Sequence, residues 1–110
     1  MKQYVIDELR PGDYEAIKDY LDTHYSLGGL SGIYWIPLKP EILNDLQSQH
    51  RQCQPLYFTL EIHKDRLACE LLIRTRERVR CACMGYADEK QRNWLIQHID
   101  AIFKELGIHT

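Results

Sequence analysis

Residues 56–84, LYFTLEIHKDRLACELLIRTRERVRCACM, decide the reading of the fold. Leu56, Phe58, Leu60 and Ile62 alternate with Tyr57, Thr59, Glu61 and His63. Successive side chains of a strand point to opposite faces, so this period of two describes a strand with one buried face. Leu67, Cys69, Leu71 and Ile73 repeat the pattern against Ala68, Glu70, Leu72 and Arg74, and Val79, Cys81 and Cys83 repeat it against Arg80, Ala82 and Met84. The expectation is a three-stranded antiparallel meander with one apolar face. Residues directly opposite in a ladder share a face. Pairing Ile62 with Leu67 therefore predicts a tight turn at Lys64-Asp65, and pairing Ile73 with Val79 predicts an odd-length turn around Thr75-Arg76-Glu77. That register places Cys69 opposite Cys83 and Leu71 opposite Cys81.

Downstream of the meander the pattern becomes helical. Asp88 is placed to cap a helix, and Gln91 stands three residues on, as in a capping box. Leu95, Ile99, Ile102 and Leu106 form its apolar stripe, widened by Ile96 and Phe103. Gly107-Ile108 has the form of a left-handed cap with its apolar contact. Upstream, Pro55 precedes the first strand, and Pro40 to about Gln49 reads as a helix with Leu43, Leu46 and His50 near one stripe. Ile33 to Ile36 reads as a strand, held to a sheet edge by Pro37. The glycine-rich loop Ser26 to Gly32 precedes it. Asp13 is positioned to cap a helix running to about Tyr25, with Tyr14, Ile17 and Leu21 at helical spacing. Tyr4 to Leu9 could add a strand to the meander, ended by the turn Arg10-Pro11-Gly12. The fold class expected is α+β, one domain over residues 1–110, with about three helices mostly on one face of the sheet. The phrase LRPGDYEAI resembles the first strand and helix of the GNAT acetyltransferase family. That resemblance covers about ten residues, and no later segment supplies the family's glycine-rich pyrophosphate loop.

Composition narrows the function classes. The 110 residues carry 14 basic and 16 acidic side chains, a net charge of -2. No global field draws the chain to nucleic acid or anionic lipid. No apolar run reaches the ~20 residues needed to span a bilayer. The opening MKQYVIDELR lacks the apolar core of a signal peptide, so a cytoplasmic location and reduced thiols are expected.

The residues that could carry chemistry are scattered. His50-Arg51-Gln52-Cys53 and Cys81-Ala82-Cys83 could together offer one histidine and three cysteines to a zinc ion. On a flat strand, however, Cys81 and Cys83 would stand about 6–7 Å apart, and Cys53 would lie ~13 Å along the sheet from Cys83. On that register the cysteines are small buried hydrophobes, and no metal and no cofactor are expected. A metal or thiol-redox site at Cys81 and Cys83 is the third alternative. Arg74, Arg76, Arg78 and Arg80 form a basic hairpin that could contact an anion, though Glu77 interrupts it. Tyr34 and Trp35, with His24 and His63, are candidates for a small-ligand pocket, which would make the chain a binder or enzyme. No nucleophile–base–acid set emerges, and no catalytic residue is named. The leading expectation is a homodimeric protein-interaction or adaptor module. Its contact face would carry Tyr57, Leu72 and Met84, too apolar for a solvated surface and too charged for a second core. A meander followed by a helix is similar in outline to small acidic dimeric secretion chaperones.

Overall fold

The computed structural model describes residues 2–25, 32–76 and 80–109. At its centre is the hairpin of β3 (Leu56–Ile62) and β4 (Leu67–Thr75), with Ile62 opposite Leu67. His63 and Arg66 exchange backbone hydrogen bonds around Lys64-Asp65, the tight turn that the alternation predicts. β1 (Gln3–Ile6) pairs with the free edge of β4, and β2 (Ile33–Pro37) with the free edge of β3. The order is β1-β4-β3-β2, all antiparallel, and Pro37 ends an edge strand as expected.

The third meander strand is corrected by the structure. β5 is only Gly85–Tyr86, facing Ile73 and Leu72 near the end of β4. Cys69 lies between Tyr4 and Leu60, not opposite Cys83. The cause is competition for one edge. β1 occupies β4 from Glu70 to Leu67, where the sequence register placed Cys83. With β1 and β2 on its flanks, the sheet has five strands, more than the three of the meander alone. Ahead of β5 the chain bends, with the Met84 N–H donating to the Cys81 carbonyl at 3.0 Å. Val79 and the middle of the expected turn lie outside the described residues.

One face of the sheet is the core. Leu56, Phe58, Leu60, Leu67, Cys69 and Ile73 are buried there. They meet Ile17 and Leu21 of α1 (Pro11–His24) and Leu95, Ile99, Ile102 and Phe103 of α3 (Glu89–Glu105). Each such aliphatic side chain contributes roughly 1.5–3 kcal/mol on burial. At the start of α3, Asp88 and Gln91 form the expected capping box, with the Gln91 N–H donating to Asp88 Oδ1 at 2.8 Å. Gly107 takes a left-handed φ of 72°, and the N–H groups of Gly107 and Ile108 donate to the carbonyls of Lys104 and Phe103. This pair of bonds is a Schellman cap.

Two helix readings change. α1 starts at Pro11, and Asp13 acts from inside the first turn by accepting the Arg10 N–H at 3.2 Å. The helix expected over Pro40–Gln49 is broken. Pro40–Ile42 is a 3-10 turn, and a separate α2 (Asp45–Gln49) is capped by Asn44. The break reverses its wheel, leaving Leu46 exposed while Gln47 is buried. No helix among the described residues is long and apolar enough to cross a membrane.

Candidate metal centre

Four ligand-type side chains from two distant segments converge beside the end of the β3–β4 hairpin. Directly after α2, Arg51–Cys53 forms a single 3-10 turn, closed by the Cys53 N–H donating to the His50 carbonyl at 3.0 Å. Side chains three apart eclipse in a 3-10 turn, so His50 and Cys53 project to the same side. Facing them is the bend at Cys81–Met84, which takes Cys81 and Cys83 out of extended geometry and turns both sulfurs inward. His50 Nδ1 and the sulfurs of Cys53, Cys81 and Cys83 all lie within 4.8 Å of one another. His50 Nδ1 is 3.0 Å from Cys81 Sγ, and the Cys53 thiol reaches Cys81 Sγ at 3.4 Å.

These distances suit a tetrahedral ion. Bonds of ~2.3 Å to sulfur and ~2.0 Å to nitrogen require sulfurs about 3.8 Å apart and a nitrogen about 3.5 Å from each. The observed separations bracket those values, so side-chain adjustments of a few tenths of an ångström to about one ångström would close the shell. Cys53 and Cys83 are buried, whereas His50 and Cys81 are half-buried at the rim. The sequence expectation that His50 and Cys53 stand too far from Cys83 to share a metal is overturned. It assumed a flat strand where the chain bends.

The surroundings hold the backbone of this cluster at two points. The Thr75 hydroxyl donates to the Cys53 carbonyl, and Gln47 Nε2 donates to the Cys83 carbonyl at 3.2 Å. Gln47 is itself gripped by Gln91, whose Nε2 donates to Gln47 Oε1 at 2.7 Å and to the Ile42 carbonyl at 2.9 Å. The capping boxes of α2 and α3 are thereby joined through two buried glutamines and end on Cys83. Sequence reasoning missed both glutamines as site residues. Their only visible mark is the position three residues after Asn44 and Asp88.

The thiols differ in character. Hydrogen bonds from the Cys83 backbone N–H and thiol, then from Cys53 and His50, hold Cys81 well below the ordinary thiol range. Burial, then the neighbouring sulfurs, pushes Cys83 up. Cys69 stands apart under the sheet, and burial alone raises it to about 12. All four cysteines are free.

The other candidate residues do not gather into a site. Tyr34 and Trp35 point to opposite sheet faces. Tyr34 is buried and donates its hydroxyl to Asp22, while Trp35 stands on the outer face in edge contact with Tyr57. His24 is exposed at the end of α1 beside Tyr20, and His63 pairs with Glu61 at 3.2 Å by the β3–β4 turn. The arginines also disperse. Arg74 binds Glu70 at 2.7 Å, Arg76 sits over the Trp35 ring, and Arg80 is exposed. Arg78 lies outside the described residues. Met84 packs against the core, so it does not share the outer face with Tyr57 and Leu72. His98 of α3 is half-buried, with Nε2 2.8 Å from the Tyr25 hydroxyl and its ring stacked on Trp94.

No protein-family model matches the chain, and neither the curated proteins nor the solved structures searched contain a match.

Proposed function

We propose that the protein is a small zinc-binding domain, with one ion held by His50 Nδ1 and the sulfurs of Cys53, Cys81 and Cys83. The observation that supports this reading is the convergence of all four ligand atoms within 4.8 Å, from two segments far apart in the chain. Three thiolates and one imidazole in a tetrahedral set favour zinc over hard cations, which prefer oxygen ligands. All four positions come from protein, so the ion has no open coordination site for a water or substrate. Its role is structural. It would tie the segment leading into β3 to the segment leading into α3, with its ligand backbone oriented by Gln47 and Thr75.

Elemental analysis of protein purified under reducing conditions should find about one zinc per chain. Cobalt substitution should produce a thiolate-to-metal charge-transfer band and the visible bands of a tetrahedral site. Cys83→Ser should abolish stoichiometric binding, while Cys69→Ala, remote from the cluster, should retain it. A reduced, folded protein that neither retains zinc nor develops the cobalt spectrum would defeat the proposal.

A further inference from the structure

The sheet face turned away from α1 and α3 has no covering element among the described residues. Ile33, Trp35, Tyr57 and Leu72 stand on it, all only partly buried. Register orders its charges along the strands. Glu61, opposite Ala68, lies toward one end, while Glu70, opposite Thr59, lies at the centre and is paired with Arg74 at 2.7 Å. Arg74 lies opposite Tyr57 toward the other end, and Arg76 follows, its guanidinium 5.4 Å from the centre of the Trp35 ring. Glu61 and Tyr57 are four residues apart on β3, about 13 Å along the strand. The face therefore carries Glu61 toward one end and Arg76 toward the other, with the Glu70–Arg74 pair and the two aromatic rings in the stretch they bound.

This polarity says which partner fits. A two-fold axis lying in the plane of the face and running across the strands reverses strand direction while keeping each strand at its own lateral position. It sets Glu61 of one copy against Arg76 of the other, while Glu70 and Arg74 stay paired within each chain. An axis along the strands would stack like charges, which is costly. A polar atom at the centre also lacks a partner. Thr59 Oγ1 is buried without a hydrogen bond among the described residues, in a depression of about 140 Å³ that Glu61 and Glu70 also line. Native structures seldom leave such a group unsatisfied.

We propose that the protein forms a two-fold dimer by packing this face on the same face of a second copy, with the axis across the strands. The proposal is independent of the metal site. Four short strands make a small interface, at the low end for stable complexes, so association is concentration-dependent and weakens as salt rises.

The test is sedimentation equilibrium of the purified protein over a concentration series reaching about 1 mM, where even weak association registers. Glu61 is 55% exposed in its side chain and Arg76 is also exposed, so reversing either charge leaves the core untouched. Glu61→Arg and Arg76→Glu should each weaken dimerisation by tenfold or more at an unchanged thermal midpoint. The double reversal should restore it, because the charges again alternate across the axis. Leu72→Glu should give a folded monomer. A wild-type chain monomeric at the highest concentration overturns the proposal. So does a double reversal that stays monomeric, or association indifferent to both single reversals.

Discussion

Exchanging the polarity of two adjacent residues in α2 sets the amphipathic reading of that segment against its tertiary environment. Hydrophobic periodicity assigns Leu46 to the interior, yet Leu46 is 42% exposed and Gln47 only 2%. Replacing Gln47 with leucine keeps the side chain's approximate size and makes the segment more apolar. It also removes three hydrogen bonds. Gln47 Oε1 no longer accepts from the Asn44 N–H at 3.1 Å or from Gln91 at 2.7 Å, and the Cys83 carbonyl loses its donor at 3.2 Å. Two of the groups left behind, the Gln91 amide and the Cys83 carbonyl, are buried. An orphaned buried polar group costs about 1–3 kcal/mol, so the substitution should destabilise by ~2–6 kcal/mol. A domain near this size loses about 4 °C or more per kcal/mol, and the thermal midpoint should fall by roughly 10 °C or more. Because Gln47 orients Cys83, a ligand in the proposed zinc site, zinc affinity should also drop, by about 10–100-fold, in competition with a chromophoric chelator. Leu46→Gln, the control, should change the midpoint by no more than ~0.5 kcal/mol equivalent. A Gln47→Leu protein with wild-type midpoint and wild-type zinc affinity would refute the network as described. A strongly destabilised Leu46→Gln would restore the sequence-based wheel.

Three further outcomes follow from individual environments. Ile99 is fully buried, so Ile99→Ala should cost ~2–5 kcal/mol in denaturant unfolding, and a cost below 1 kcal/mol would remove it from the core. Burial, and then Lys39, lower the His98 imidazole from its ordinary 6.5. The unfolded chain therefore binds this proton more tightly. Its contribution is complete above about pH 6.5 and is lost as pH falls through that value and below, so the midpoint should decline more steeply from pH 7 to 5 in wild type than in His98→Gln. Matching slopes would place His98 in solvent. In native thiol labelling with a chelator present, Cys81 should react first and Cys69, raised to about 12 and fully buried, only on global unfolding. Early labelling of Cys69 contradicts its placement.

The sequence by itself determined the features whose causes are local. The alternation of Leu56–Ile62 and Leu67–Ile73, the two-residue turn at Lys64-Asp65, the Asp88–Gln91 box and the Gly107 cap each depend on residues within a few positions of one another, and each appears as read. The convergence of His50, Cys53, Cys81 and Cys83 was decided elsewhere. Val79, Cys81 and Cys83 alternate like a strand, and the sequence does not announce that β1, some sixty residues upstream, takes the edge of β4 that such a strand would need. With that edge occupied, the described part of this segment pairs at Gly85–Tyr86 and bends before it, and the bend brings the Cys81 and Cys83 sulfurs to the Cys53 sulfur and His50 Nδ1. The inward turn of Gln47 has the same origin, because a buried amide is tolerated only where Gln91 and the Cys83 carbonyl stand ready to meet it. Periodicity records which face of an element prefers to leave water. Which strand wins a shared edge depends on contacts between segments far apart in the chain, and only the tertiary structure contains those.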